Sequence, residues 1–109
     1  MAVWYHVRDL ETGRVFYREK LGFNETYFDR EGRWSRLERG GMAIALAEGE
    51  PTEESGVAHV DVRDIRAEAQ RLRAEGVEVG VILELHGEVR LVDVFDPDGN
   101  RIQLAQNLP

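Results

Sequence analysis

The chain has 109 residues, of which 42% are hydrophobic and 32% charged, a composition typical of one folded globular domain. Its net charge of −7 would repel a phosphate backbone, so we expect no nucleic-acid partner. The absence of cysteine excludes disulfides and thiolate chemistry. The sequence has no apolar run of membrane-spanning length and no signal-peptide pattern, so we expect a cytoplasmic protein without membrane attachment.

The first half of the chain predicts one strand, one helix and three further strands. Residues 2–8 alternate apolar and polar side chains, as a half-buried strand does, and Asp9 follows as a helix N-cap. Gly22 can close that helix in a left-handed conformation. Further strands are predicted over 23–28, 34–38 and 42–47, between turn-rich segments. Residues 1–48 therefore predict a βαβββ unit, module 1.

The second half repeats this order after a linker at 49–56 that is rich in Glu, Gly, Pro, Thr and Ser. Module 2 spans 57–109, with strands at 57–62, 79–85, 89–95 and 101–105 and a helix from Asp64 to Gly76. Val7-Arg8-Asp9-Leu10 returns as Val62-Arg63-Asp64-Ile65, and Ile44-Ala45-Leu46-Ala47 returns as Ile102-Gln103-Leu104-Ala105. We therefore predict a single α+β domain over 1–109, in which two βαβββ modules related by pseudo-twofold symmetry form a cupped mixed sheet with the helices outside.

Alternation within the strands separates a sheet face that covers the helices from an opposite face. The covered face is apolar, as Val3, Tyr5 and Val7 illustrate. If the sheets curl around the opposite face, its side chains line a cavity. The ligand-binding residues predicted on that face are Trp4, His6, His59, Asp61 and Gln103.

The aromatic residues Trp4, Tyr27 and Trp34 have two interpretations. They could form flat walls for an aromatic or otherwise apolar ligand, or they could pack in the core or a dimer interface. Both interpretations stay open for Trp4, whose neighbours are polar, whereas packing is favoured for Tyr27 and Trp34. Arg36 and Arg90 could clamp a carboxylate, although we expect both to be surface residues.

The motifs along the chain are Asp9-Leu10, Phe16-Tyr17, Leu21-Gly22-Phe23, His59-Val60-Asp61-Val62-Arg63-Asp64-Ile65 and the segment from Asp96-Pro97-Asp98-Gly99-Asn100 through Arg101-Ile102-Gln103-Leu104. Together they resemble the vicinal oxygen chelate superfamily, which includes glyoxalase I, bleomycin resistance proteins and extradiol dioxygenases. The resemblance covers essentially the whole chain. It implies paired βαβββ modules, a homodimer and a divalent metal ion held inside the cup.

The resemblance also implies four metal-ligand positions, which carry Ala2, Ala45, Val57 and Gln103 here. Three of these side chains have no donor atom, and one amide oxygen is a poor substitute for the hydration of a divalent ion. We therefore expect no cofactor and a metal-free pocket that binds a small molecule, sequestering a toxic or antibiotic compound without catalysis.

Two alternatives stay open. In the first, the protein is a metal-dependent lyase, isomerase or dioxygenase in which rearranged ligands, His6, His59 and Asp61, hold one divalent metal ion. In the second, core side chains fill the cup and the domain acts through a dimer or partner surface. Metal content separates the first alternative from the metal-free pocket, and a cavity argues against the second.

Overall fold

The computed structural model describes residues 2–52 and 55–109, so Met1 and the predicted linker residues Glu53 and Glu54 lie outside the described residues. Module 1 contains β1 (Ala2–Val7), α1 (Leu10–Val15), a π-helical turn that continues α1 (Phe16–Lys20), β2 (Asn24–Asp29), β3 (Trp34–Arg39) and β4 (Met42–Glu48). Module 2 contains β5 (Ala58–Asp61), α2 (Ile65–Ala74), β6 (Glu78–Val79), β7 (Leu83–Leu85), β8 (Val89–Phe95) and β9 (Arg101–Asn107). No helix within residues 2–52 and 55–109 is long and apolar enough to cross a membrane.

Each module forms its own sheet, and the strand order is matched between the two. The first sheet has the order β1-β4-β3-β2, and the second has the order β5-β9-β8, with β6 and β7 both paired to the far side of β8. In each sheet the first strand runs parallel to the last strand of its module, and the remaining pairs are antiparallel. The predicted α+β fold with two related sheets is confirmed.

The two helices begin and end as the sequence predicts. The Asp9 carboxylate accepts from the Thr12 amide (3.3 Å), and the Asp64 carboxylate accepts from the Ala67 amide (3.1 Å), so each satisfies a first-turn donor. Gly22 follows the first helix with φ +69°, a left-handed conformation that glycine adopts without a steric penalty.

The predicted strand at 79–85 is wrong as a single strand, because the chain leaves the sheet between β6 and β7. The Gly80 amide still donates to the Asp93 carbonyl (2.8 Å). The Gly80 carbonyl instead accepts from the Arg73 guanidinium of α2 (2.8 Å), so this carbonyl points toward the helix. The segment from Gly80 to Ile82 therefore bridges two short strands.

A single hydrophobic core joins the two modules on their helix-bearing sides. The Tyr5 hydroxyl accepts from the Ala58 amide (2.8 Å) and donates to the Arg101 carbonyl, so one buried side chain ties β1 to both β5 and β9. Burial raises the pKa of Tyr5 to about 12. The modules are thus joined through their helix-bearing sides, and each sheet keeps one face directed away from the core.

Candidate functional site

The sheet face of module 1 that points away from the core, its open face, carries a cluster of three aromatic rings. Ala45 pairs with Trp4, and Ala47 pairs with Trp34, so small side chains on β4 leave room for the rings above it. The ring centroids lie 5.6 Å apart for Trp4 and Trp34 and 5.0 Å apart for Tyr27 and Trp34, at tilts of 39° and 42°. Trp4 is 51% exposed and Tyr27 is 52% exposed. We call these three residues the aromatic platform.

A bulge in β2 places Tyr27 in this platform. The pairing of β2 with β3 shifts between Glu25 and Tyr27, so these two residues point to opposite faces although they are two positions apart. The Glu25 carboxylate accepts from Arg14 (2.6 and 2.7 Å) and from the Ser35 hydroxyl (2.5 Å) on the helix side. These contacts, the Arg14 hydrogen bond above all, hold the pKa of Glu25 below its usual range.

His6 lies beside the platform on β1, partly buried against the chain that follows β4. A Cβ atom at Gly49 would lie 3.2 Å from the His6 Cδ2 atom, so the ring rests on a position where only hydrogen fits comfortably. Its Nδ1 atom is buried and has no hydrogen-bonding partner among the described residues.

The open face of module 2 is polar where that of module 1 is aromatic. His59 pairs with Gln103 across β5 and β9, and Gln103 pairs with Asp93 across β9 and β8, which forms one row across three strands. Gln103 donates to the Asp93 carboxylate at 3.4 Å. His59 and Asp61 are exposed, and neither makes a side-chain hydrogen bond or ion pair with any residue that the structure describes.

A depression of about 120 Å³ lies next to this row, and we call it the Asp93 notch. Its lining residues all belong to module 2: Gly80, Val81, Leu83, Leu91, Val92, Asp93, Phe95 and Gln103. Val81 is 78% exposed and Leu83 is 57% exposed, so this part of the open face is apolar at its rim. Gln103 is the one notch residue that was predicted from the sequence as a ligand contact.

The five predicted ligand-binding residues fall into two groups, one on each sheet. Trp4 and His6 share the open face of module 1, and His59, Asp61 and Gln103 share that of module 2. Within residues 2–52 and 55–109, no three His, Asp or Glu side chains are close enough together to hold a metal ion. Within one chain, His6, His59 and Asp61 therefore do not lie close enough together to form the rearranged metal site.

The four metal-ligand positions that the resemblance implies do not fit a metal ion. Ala45 is buried under the platform, and Val57 is half-buried just before β5. The alanine and valine side chains at positions 2, 45 and 57 have no donor atom. Gln103 retains one amide oxygen. Because hard or borderline divalent ions need several carboxylate or imidazole ligands, this donor set is insufficient.

Solved structures with the same fold include three that cover nearly the whole chain. An integron cassette protein from the mobile metagenome of a Halifax Harbour sewage outfall is 22% identical, with a TM-score of 0.85 over 97% of this chain and 96% of that chain. TnmS3, an antibiotic binding protein from Streptomyces sp. CB03234, is 27% identical, with a TM-score of 0.79 over 97% and 93%. The fosfomycin resistance protein FosX from Listeria monocytogenes, solved with Mn(II) and sulfate, is 20% identical, with a TM-score of 0.78 over 95% and 86%.

No curated protein sequence matches this chain. The sequence profile of one family does match, and it extends over residues 3–104, from the first strand of module 1 to the last strand of module 2. This match agrees with the paired sheets and confirms the resemblance drawn from the motifs. The chain belongs to the Glyoxalase/Bleomycin resistance protein/Dioxygenase superfamily.

Proposed function

We propose that this protein binds a small organic molecule with a planar aromatic group, in a metal-free pocket and without transforming it. The observation that carries the proposal is the aromatic platform, in which Trp4 and Tyr27 are half exposed beside Trp34. TnmS3, which is 27% identical to this chain, is an antibiotic binding protein, and this likeness supports the same function. Sequestration of a toxic or antibiotic compound is the role that fits a pocket of this kind.

The platform can supply several kcal/mol of contact to such a ligand. An aromatic side chain buries about 150–250 Å² when it is fully covered. Covering the exposed half of Trp4 therefore removes roughly 100 Å² from water, which contributes about 2.5 kcal/mol at ~25 cal/mol per Å². A planar ligand that also covers Tyr27 gains a similar amount.

The residues at the implied metal positions support binding without metal-dependent chemistry. Ala45 occupies one of the implied metal-ligand positions and lies under the platform, where its methyl group offers only an apolar floor. Gln103 offers a neutral amide that donates to Asp93. A pocket built on these groups can hold a molecule by shape and hydrogen bonding, and it has no centre that would polarise a substrate.

We infer that a second copy of the chain closes the pocket. The helix-bearing sides of both modules share one core, so the two open faces of a chain look outward, with Trp4 and Leu83 exposed on different sheets. A twofold dimer that lays module 2 of one copy over module 1 of the other would cover both faces and create two equal pockets. The molar mass in solution, measured by light scattering, tests this inference: a dimer is expected, and a monomer at all concentrations contradicts it.

The binding test can use intrinsic fluorescence, because both tryptophans of the chain belong to the platform. A panel of planar aromatic compounds is titrated, and we expect saturable quenching by at least one of them. Trp4→Ala should weaken the affinity for that compound by roughly 10- to 100-fold, since about 2.5 kcal/mol of contact free energy is lost. Val15→Ala is the matched control, because Val15 is an exposed apolar residue of α1, and it should leave the affinity unchanged.

The outcomes separate the proposal from its alternatives. If Trp4→Ala and Tyr27→Ala both bind the compound as tightly as the unaltered protein, the platform is not the binding site. Elemental analysis of untagged protein is expected to find no stoichiometric divalent metal, and a chelator should leave the affinity unchanged. A full equivalent of bound metal with activity lost on chelation would favour the lyase, isomerase or dioxygenase instead.

A further inference from the structure

The Asp93 notch exists because the chain places a glycine opposite an acidic residue. At the break between β6 and β7, Gly80 occupies the position beside Asp93 that a strand residue with a side chain would otherwise fill. A Cβ atom at Gly80 would lie 3.4 Å from the Asp93 carbonyl oxygen and 3.9 Å from the Asp93 Cβ atom. A hydrogen at this position therefore leaves the space above Asp93 open.

The Asp93 carboxylate has capacity for a further hydrogen-bond donor. Gln103 contacts one oxygen at 3.4 Å and Arg101 contacts the other at 3.5 Å, both at the outer limit of a hydrogen bond. An ionised carboxylate has about four acceptor sites. The Arg101 side chain is 51% exposed, so its ion pair with Asp93 is screened by water and is easily exchanged for another donor.

Apolar side chains line the notch beside its polar groups, and the notch is small. Leu91 and Phe95 flank Asp93 on the same face of β8, and Val81 and Leu83 approach from the neighbouring segment. The volume of the notch is about 120 Å³. A compact group with one charged end and a short hydrocarbon stem fits these dimensions.

We propose that the Asp93 notch binds a protonated alkylamine, and hence that the ligand of this protein carries an ammonium group on a short chain. An ammonium ion has three donors that the carboxylate can accept, and its methylene groups contact Leu83 and Leu91. The same carboxylate repels phosphate and carboxylate groups. This inference rests on the proposed function, because the aromatic platform would bind the other end of the ligand, but the notch itself lies within one chain.

Two probes of the same skeleton separate charge from shape: naphthylethylamine, which is protonated at neutral pH, and naphthylethanol, which is not. Both are titrated into the full chain at millimolar concentration and followed by tryptophan fluorescence and amide NMR spectra. The amine should bind on the order of tenfold more tightly than the alcohol, the increment of one charge-assisted hydrogen bond. The amine alone should shift the amide signals of Gly80 and Asp93.

Three variants assign that preference to the notch. Asp93→Asn should reduce the affinity for the amine to that for the alcohol. Gly80→Ala keeps the Asp93 charge but partly fills the notch, so it should weaken the affinity for the amine severalfold. The nearest contacts of the new methyl group, at 3.4 Å and beyond, are ordinary van der Waals distances, so the fold should be retained. Glu84→Gln is the matched control, because this exposed carboxylate on β7 pairs with Arg90 at 2.9 Å, and it should leave the preference unchanged.

The outcomes distinguish this inference from the proposed function. Equal affinity for the two probes, or a preference for the amine that survives in Asp93→Asn, overturns the inference and leaves the aromatic platform intact. If the preference is lost equally in Glu84→Gln, it reports the net charge of the protein, and the notch assignment fails. If neither probe changes the fluorescence or the spectra, the inference and the platform both fail for ligands of this class.

Discussion

Removing the Tyr17 hydroxyl should destabilise the protein by about 1.5–3 kcal/mol, because it breaks a buried hydrogen bond to an acidic group. Tyr17 is fully buried and donates to the Asp96 carboxylate at 2.8 Å, which joins module 1 to the Asp-Pro-Asp-Gly-Asn turn of module 2. Asp96, 5% exposed, also accepts from the Asp98 and Asn100 amides (2.9 Å each) and from the Asn100 side chain (2.8 Å). Tyr17→Phe leaves these three bonds in place, so the loss should equal one bond to a charged acceptor.

The assay is urea unfolding followed by circular dichroism, with thermal unfolding beside it. At roughly 4 °C per kcal/mol for a domain of this size, Tyr17→Phe should lower the Tm by about 6–12 °C. Tyr27→Phe is the matched control, since it deletes the same atom from a tyrosine that is 52% exposed, and it should change the stability by less than about 0.5 kcal/mol. If the two variants unfold within about 0.5 kcal/mol of each other, Tyr17 does not connect the modules as argued.

Three further predictions concern the dimer and the pH dependence of stability. Leu83→Glu should convert the proposed dimer to a monomer in light scattering without unfolding it, because Leu83 is 57% exposed in one chain; an unchanged molar mass would move the interface elsewhere. Burial raises the pKa of Tyr5 to about 12 and that of Tyr17 well above its usual value. Both tyrosines therefore ionise first in the unfolded chain, so the free energy of unfolding should be unaffected below pH ~10 and should fall as the pH rises above it. A urea midpoint that stays constant from pH 9 to pH 12 would contradict this. Arg14 lowers the pKa of Glu25 in the folded protein, so the ionised Glu25 stabilises the fold above pH ~4.5, and this stabilisation is lost as the pH falls through the lowered pKa. In Glu25→Gln, the urea midpoint should therefore fall less steeply at acid pH.

Local signals predicted the helices and the covered sheet faces. Asp9 and Asp64 cap helices because a short carboxylate reaches the amides of the next turn, an interaction contained within four residues. The alternation of Ala58 and Val60 with His59 and Asp61 corresponds to the observed change from buried to exposed along β5. Such features depend on neighbours in the sequence, so the sequence was sufficient to find them.

Long-range contacts determined the features that the sequence did not predict. The break at Gly80 depends on Arg73, whose guanidinium reaches from α2 to the Gly80 carbonyl. The bulge in β2 places Tyr27 on the open face, while an Arg14–Glu25 ion pair holds Glu25, two residues earlier, on the helix side. Asp93 became a candidate only when the register placed it opposite Gln103. None of these pairings has a local signature.

The two modules have the same strand order but different chemistry at matching positions, and this difference bears on how two copies would meet in the proposed dimer. Trp4 and His59 each precede the capping aspartate of their module by five residues, and Ala45 and Gln103 occupy corresponding places in the last strands. A dimer that faced like modules would place the two aromatic platforms against each other and the two Asp93 carboxylates against each other, and those carboxylates would repel. A dimer that faces unlike modules gives each pocket one aromatic and one acidic wall, the arrangement that a ligand with a planar end and an amine end requires.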